Sequence, residues 1–166
     1  GPVREPVGYD SVVELEVEGE VQAENGFCGE INFGGIQMGQ AKAVLTGGVE
    51  RATGTDVTGV GYISPTSIRK WNSMDSRASW KVYSERELTI CYSCDSLSAG
   101  QPYWVEVEGA GMIEAKTLAG PKGFEEFYTR HLGKVKFPHA GIYTIHVRPA
   151  VTPRKELFGL NWLFLE

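Results

Sequence analysis

Apolar residues recur at every second position through the back half of the chain. Tyr103, Val105 and Val107 share one face of a run whose other face carries Trp104, Glu106 and Glu108. The 141–148 run repeats the pattern, with Tyr143, Ile145 and Val147 turned inward and Thr144, His146 and Arg148 outward. Near the start, Val13, Leu15 and Val17 alternate with Glu14, Glu16 and Glu18. A period of two is that of a strand with one face in a core. Gly and Pro punctuate the gaps between such runs. Further strands are predicted at 87–94 and 111–116, and Trp80 and Val82 are expected to face the core. The closing Leu160-Asn-Trp-Leu-Phe-Leu is apolar on both faces, which predicts a central strand. Between residues 25 and 60 the pattern weakens; it predicts two short strands, near 30–34 and 41–46, within long glycine-rich connections. No helix of ordinary length is predicted. Short strands and glycine turns fit an all-β antiparallel β-sandwich, two sheets packed face to face as in a jelly roll.

The chain has 166 residues, a length suited to one domain. Residues 1–10 read as a tag remnant and linker, and 11–166 as a single sandwich. A domain of this size buries roughly two-thirds of its unfolded surface, so it needs no metal or disulfide to hold a core. The net charge of -5 argues against nucleic acid as a partner, because phosphate contacts need clustered Lys and Arg. No run of eighteen apolar residues predicts a membrane-spanning helix. No signal peptide is visible, and the opening Gly-Pro reads as a protease scar, so the first residues do not report the compartment.

The catalytic signals are sparse. Cys91 and Cys94 form a Cys-x-x-Cys in a predicted strand, where positions three apart point to opposite faces. No following helix would lower a thiol pKa, and no second pair supplies four zinc ligands. A disulfide from Cys28 to either cysteine stays open. Gly34-Gly-Ile-Gln-Met-Gly lacks the Lys and Ser/Thr of a phosphate-binding loop. There is no Gly-x-Ser-x-Gly elbow. His131, His139 and His146 are not spaced as a helical metal pair, and they are expected to decorate strands.

Several phrases carry a resemblance. They are Tyr103-Trp-Val-Glu-Val-Glu-Gly, Gly120-Pro-Lys-Gly-Phe-Glu-Glu-Phe, Leu132-Gly-Lys-Val-Lys-Phe, Ala140-Gly-Ile-Tyr-Thr-Ile-His-Val-Arg-Pro and Leu160-Asn-Trp. In this order, over residues 60–166, they resemble the back half of jelly-roll carbohydrate-binding modules of families six and thirty-five, and of the modules appended to secreted fucosidase-like enzymes. The resemblance implies a non-catalytic module that docks sugar rings on loop aromatics. Phe124 matches one ligand-facing place, and Tyr62 or Trp71 the other, with Tyr128 behind them. Arg69 and Lys122 stand near them in sequence as donors to hydroxyls or to a sugar carboxylate. Trp71, Asp75 and Trp80 match a stretch that leads from an Asp-containing turn into a strand.

The same resemblance implies a structural calcium near the first strand, with Glu24 as first candidate and Glu16 and Glu18 next; a hard cation of this kind takes six to eight oxygen ligands. It also implies secretion, to an extracellular or periplasmic place, a polysaccharide or oligosaccharide partner, and a catalytic domain on the same parent chain. One position departs from the family. Gly159 stands where family-six modules commonly place a ligand-binding Asn. The departure favours a second reading, a structural or protein-interaction sandwich without a sugar site.

Overall fold

The structure, a computed structural model, describes residues 27–28, 30–31, 35–52, 67–84, 88–95, 99–118 and 128–166. The first predicted strand, at 11–18, lies outside them. Among the described residues thirteen strands follow in order: β1 Phe27–Cys28, β2 Glu30–Ile31, β3 Gly35–Gly39, β4 Val44–Thr46, β5 Glu50–Ala52, β6 Ser67–Arg69, β7 Arg77–Ser84, β8 Leu88–Asp95, β9 Pro102–Val107, β10 Gly111–Lys116, β11 Tyr128–Val135, β12 Gly141–Pro149 and β13 Gly159–Leu165. One sheet runs β1-β7-β12-β9-β10, with β4 also on β7. The other runs β11-β8-β13-β3-β2, with β6 on β13 and β5 on β6. Every pair is antiparallel except the short β1–β7 contact. The chain is thus an antiparallel β-sandwich.

The alternation read from the sequence sets which side chains meet between the sheets. Trp80, Val82, Tyr103, Val105, Val107, Tyr143, Ile145 and Val147 are buried from the first sheet. Ile36, Met38, Ile68, Leu160, Leu163 and Leu165 meet them from the second. Strand β13 is central, between β8 and β3. Its register against β8 shifts between Leu160 and Trp162, leaving Asn161 as an extra residue. Such a bulge reverses the inside–outside parity of a strand. Leu160 and Leu163, three apart, are therefore both buried.

The glycine-rich front departs from expectation. Of the strand anticipated over 30–34 the described residues hold β2, a further strand β3 follows beyond it, and the one over 41–46 shortens to β4 behind a 3-10 turn at Gln40–Lys42. Strand β3 was hidden in the sequence by its glycines, and Gly35 has a packing reason. A Cβ there would stand 2.3 Å from the Phe164 ring and 2.6 Å from the Leu165 carbonyl oxygen on β13.

His146 keeps its outward face but is not exposed there. It sits on the outer face of the first sheet, yet only 7% of it is exposed. Ser79 Oγ on β7 approaches its Nδ1 at 2.7 Å, and Glu108 Oε1, from the residue just after β9, its Nε2 at 2.7 Å. Cys28 is also buried, and burial pushes its thiol up to about 11. Cys91 and Cys94 lie on one continuous strand, β8, as expected.

The Trp80 indole ties the two sheets together at a point the sequence does not show. Its Nε1–H donates to the Gly39 carbonyl at 2.9 Å, linking β7 to the end of β3. Trp80→Ala is expected to cost about 3–5 kcal/mol, the usual range for a buried tryptophan. Urea unfolding measures it, and a loss below about 1 kcal/mol would contradict the packing described.

Candidate functional site at the loop end

The described connections 70–76, 99–101 and 150–158 meet at one end of the sandwich. Backbone bonds join them: Leu157 N–H donates to the Trp71 carbonyl at 3.2 Å and Ala150 N–H to the Pro102 carbonyl at 3.1 Å. Gly100 N–H donates to the Thr117 carbonyl at 2.7 Å, which brings in the exit of β10. The strand ends on both sides of residues 119–127 also lie here. Lys116 pairs with Pro102, and Tyr128 pairs with Cys94 near the end of β8.

Glu156 is the hub. Its carboxylate accepts from Arg69 Nε at 3.0 Å and from Arg69 Nη2 at 2.9 Å, a bidentate pair, and also from the Lys70 backbone N–H. Planar guanidinium and carboxylate groups match in this geometry, and both partners here are partly buried. Lys70 is held in the left-handed region at φ 62, and its Nζ pairs with Glu50 at 2.8 Å. The Glu156 carbonyl in turn accepts from Gln101 Nε2 at 3.2 Å.

Gln101 is a buried polar residue with every amide function engaged. Its Oε1 accepts from the Arg154 backbone N–H at 2.9 Å, and its own N–H donates to Thr117 Oγ1 at 3.0 Å. The 150–158 connection is therefore clamped at residues 154 and 156 by one side chain. Beside that clamp a cavity of about 180 Å³ opens, lined by Ala99, Gly100, Pro102, Val151, Thr152 and Arg154, with Gln101 as the remaining wall. Val151 is half exposed. The Arg154 guanidinium is exposed and makes no ion pair with any described residue.

Two predicted site residues move. Trp71 is fully buried, stacked on Phe158 at 5.3 Å and 17°, with its Nε1–H donating to the Ile68 carbonyl at 2.8 Å. Phe158 leans in turn on Tyr103 at 5.0 Å. A ring covered on this side and hydrogen-bonded inward presents no face to a ligand, so Trp71 is a core residue under the loops. Arg69 stands at the right end, but its Nε and Nη2 are committed to Glu156; it frames the site. Asp75 lies exposed in the 73–76 turn. Its carbonyl oxygen comes within 2.0 Å of where a Cβ on Gly47 would stand, and Gly47 has φ 70, so only glycine fits.

Tyr62, Lys122 and Phe124 lie outside the described residues, as do the calcium candidates Glu16, Glu18 and Glu24. Tyr128 begins β11. Among the described residues no group of three or more His, Cys, Asp or Glu stands close enough to hold a metal ion. Gly159 is buried at the start of β13, and Asn161 is the bulged residue beyond it. Sequence reasoning missed Gln101, Thr152 and Arg154. A glutamine before Pro102 carries no periodic signal, and only the folded register brings it beneath a loop more than fifty positions on.

On the outer face of the first sheet, Ser79, His146 and Glu108 form a hydrogen-bonded row of the residue types used for nucleophilic catalysis. The row lies across three paired strands, where the backbone N–H groups that would form an oxyanion hole are occupied in the ladders. It acts here as a cross-strand tie. The next row pairs Arg148 Nε with Glu106 Oε2 at 3.1 Å and sets the Arg148 guanidinium 4.1 Å above the Trp104 ring.

Two outcomes follow. Gln101→Leu leaves the Arg154 N–H and the Glu156 carbonyl without that partner; the expected cost is about 1–3 kcal/mol, read by chemical denaturation. Hydrogen exchange at 154–157 should accelerate with it. The His146 hydrogen bond, aided by Thr144 and opposed by burial, holds the Glu108 carboxyl below 4.5. A depressed carboxylate stabilises the fold above its unfolded pKa and loses that contribution as pH falls through its folded value. Glu108→Gln should therefore flatten the fall in melting temperature below about pH 4.5. An unchanged acid profile would contradict the tie.

No family model matches the chain, and no curated protein sequence matches it. Solved structures do. A family 35 carbohydrate binding module from Clostridium thermocellum matches with a TM-score of 0.59 at 12% identity, over 79% of this chain and 96% of that one. A β-1,3-glucan binding family 6 module from Bacillus halodurans gives 0.57 at 15%, over 76% and 92%. A Podospora anserina GH26-CBM35 β-(1,4)-mannanase gives 0.60 at 14%; the match covers 79% of this chain but only 27% of that enzyme. The Cry4Aa larvicidal toxin of Bacillus thuringiensis also matches, at 0.60 and 10%, over 85% and 24%. At these identities the likeness is one of fold, and the fold is the jelly-roll sandwich that the family 35 and family 6 carbohydrate-binding modules share.

Proposed function

We propose that this chain is a non-catalytic carbohydrate-binding module, borne by a secreted glycan-active protein and engaging a polysaccharide or oligosaccharide through its loop end. The observation that carries the reading is the clamp of Glu156 and Gln101 on the 150–158 connection. It holds several loops in one fixed arrangement beside an open cleft, and a binding surface gains from such preorganisation because less ordering is left to the moment of association. Loops on a rigid sandwich are where binding residues concentrate. Lys122 and Phe124 belong to the connection whose two flanking strand ends reach this surface; with Tyr62 they are the proposed docking aromatics and donor. Trp71, under Phe158, supports these loops from below. A catalytic domain on the same parent chain fits the GH26-CBM35 mannanase, of which the match covers only 27%. The reading includes a structural calcium on Glu24, Glu16 and Glu18.

One observation favours the second reading, a structural or protein-interaction sandwich. Gly159 is buried at the head of β13 and offers no side chain where the resembled family carries its Asn.

A glycan array probed with the chain separates the two, since reproducible binding without product release supports the first and silence on every glycan supports the second. Phe124→Ala is expected to abolish the array signal with the melting temperature unchanged. Trp71→Ala should lower the melting temperature instead, because a buried tryptophan contributes about 3–5 kcal/mol. Equal binding by the Phe124 variant and wild type would remove Phe124 from the site. Calcium should raise the melting temperature and EDTA reverse it; a midpoint indifferent to both removes the metal.

A further inference from the structure

Strand β10 is the last strand of its sheet, and only β9 pairs with it among the described residues. The Thr117 N–H donates to the Gln101 carbonyl at 2.9 Å, continuing the β9–β10 register by one pair. Ladder bonds alternate along an antiparallel strand, so Gly111, Ile113, Ala115 and Thr117 turn their backbone groups to β9. Met112, Glu114, Lys116 and Leu118 turn theirs outward. The Met112 and Glu114 amides have no partner among the described residues. Outward amides on an edge are a template for a further strand.

The same four residues share one face. Ile113 and Ala115 pack against the core and Thr117 is buried, so alternation puts Met112, Glu114, Lys116 and Leu118 on the other side. Met112 is 52% exposed and Leu118 43%, large values for apolar side chains, and Glu114 and Lys116 between them are exposed as well. Charges on an edge commonly guard it against pairing. Here their order acts against some two-fold registers and favours one. An axis at Glu114 sets two carboxylates opposite each other, and an axis at Lys116 sets two ammonium groups opposite, both unfavourable. An axis at Ile113 sets Met112 against Glu114. Only an axis at Ala115 sets Glu114 opposite the second copy's Lys116 and Met112 opposite its Leu118, each pair occurring twice by symmetry.

We propose that β10 pairs antiparallel with β10 of a second copy of this chain, with the two-fold axis at Ala115, joining the first sheets of the two copies into one. The N–H groups of Met112 and Glu114 donate to the carbonyls of the second copy's Leu118 and Lys116, and a carbonyl with two lone pairs takes such a bond beside any other. Of Lys116 the pairing asks the exposed ammonium, a group with three donors, and of Leu118 the exposed side chain. Antiparallel edges send the two loop ends to opposite poles, so a pair faces two partners rather than one. The pairing does not depend on the carbohydrate reading above.

Sedimentation velocity on the full chain, over a concentration series up to about 500 µM, reads the pairing. Wild type should pass from monomer to dimer mass along the series. Glu114→Lys and Lys116→Glu should each weaken association by at least about tenfold, because like charges then stand opposite each other. The double variant, Glu114→Lys with Lys116→Glu, should return to within about threefold of wild type, since the pairs are restored with their signs exchanged. Met112→Pro removes an outward N–H without touching the β9 ladder and should also weaken the dimer. All these substitutions are at exposed side chains, and melting temperatures confirm that the fold is kept. A chain that stays monomeric throughout the series overturns the proposal. So does a dimer that ignores the single substitutions, or one that the double variant fails to restore.

Discussion

Glu156 is the residue through which the two sheets share one loop surface. Its carboxylate is held by Arg69, at the end of β6 in one sheet, and its carbonyl by Gln101, which leads into β9 in the other. A partly buried carboxylate needs these donors, since leaving it unpaired carries a desolvation penalty of several kcal/mol. The consequence is that the 150–158 connection cannot slide relative to either sheet without breaking hydrogen bonds, charged ones on the Arg69 side and neutral ones on the Gln101 side. The stack of Trp71, Phe158 and Tyr103 directly beneath it fills the space that the connection would otherwise collapse into.

The outer face of the first sheet shows the same economy of partners. Ser79 on β7, His146 on β12 and Glu108 just past the end of β9 form one line, in which the two imidazole nitrogens meet a hydroxyl on one side and a carboxylate on the other. Arg148 does similar work one row along, between Glu106 and the face of Trp104. Glu106 and Glu108 on this face are thus each tied to a cross-strand partner. At the loop end, by contrast, Arg154 is left facing solvent.

The architecture was legible wherever one face of a strand is buried, because alternation is a direct record of burial. Tyr103–Val107 and Tyr143–Val147 behave that way, and the doubly apolar 160–165 run is central as its composition requires. Legibility failed where glycine replaces side-chain pattern: β3 has to pass over Phe164, and the Gly35 that allows it erases the strand signal. It failed again where a tertiary contact decides exposure. Trp71 follows Arg69 and Lys70 in a polar stretch and reads as a surface aromatic, yet Phe158 covers it from a loop nearly ninety positions away. Gln101 and Arg154 were invisible for the same reason, since their roles exist only once β9 and the 150–158 connection are adjacent. Sequence identities of 10–15% to structures of the same fold fit this division. Alternation can be met by many sequences, whereas loop contacts are particular to each.

The claim on which the functional reading depends is that ligands meet this protein at the clamped loop end. An amide chemical-shift map, taken as an oligosaccharide from the array is titrated in, tests it residue by residue. The reading predicts shifts concentrated in 99–102, 119–127 and 150–158, with the outer face of β7, β12 and β9 unmoved. Shifts centred on Ser79, Trp104, His146 and Arg148, with the loop end silent, would contradict it.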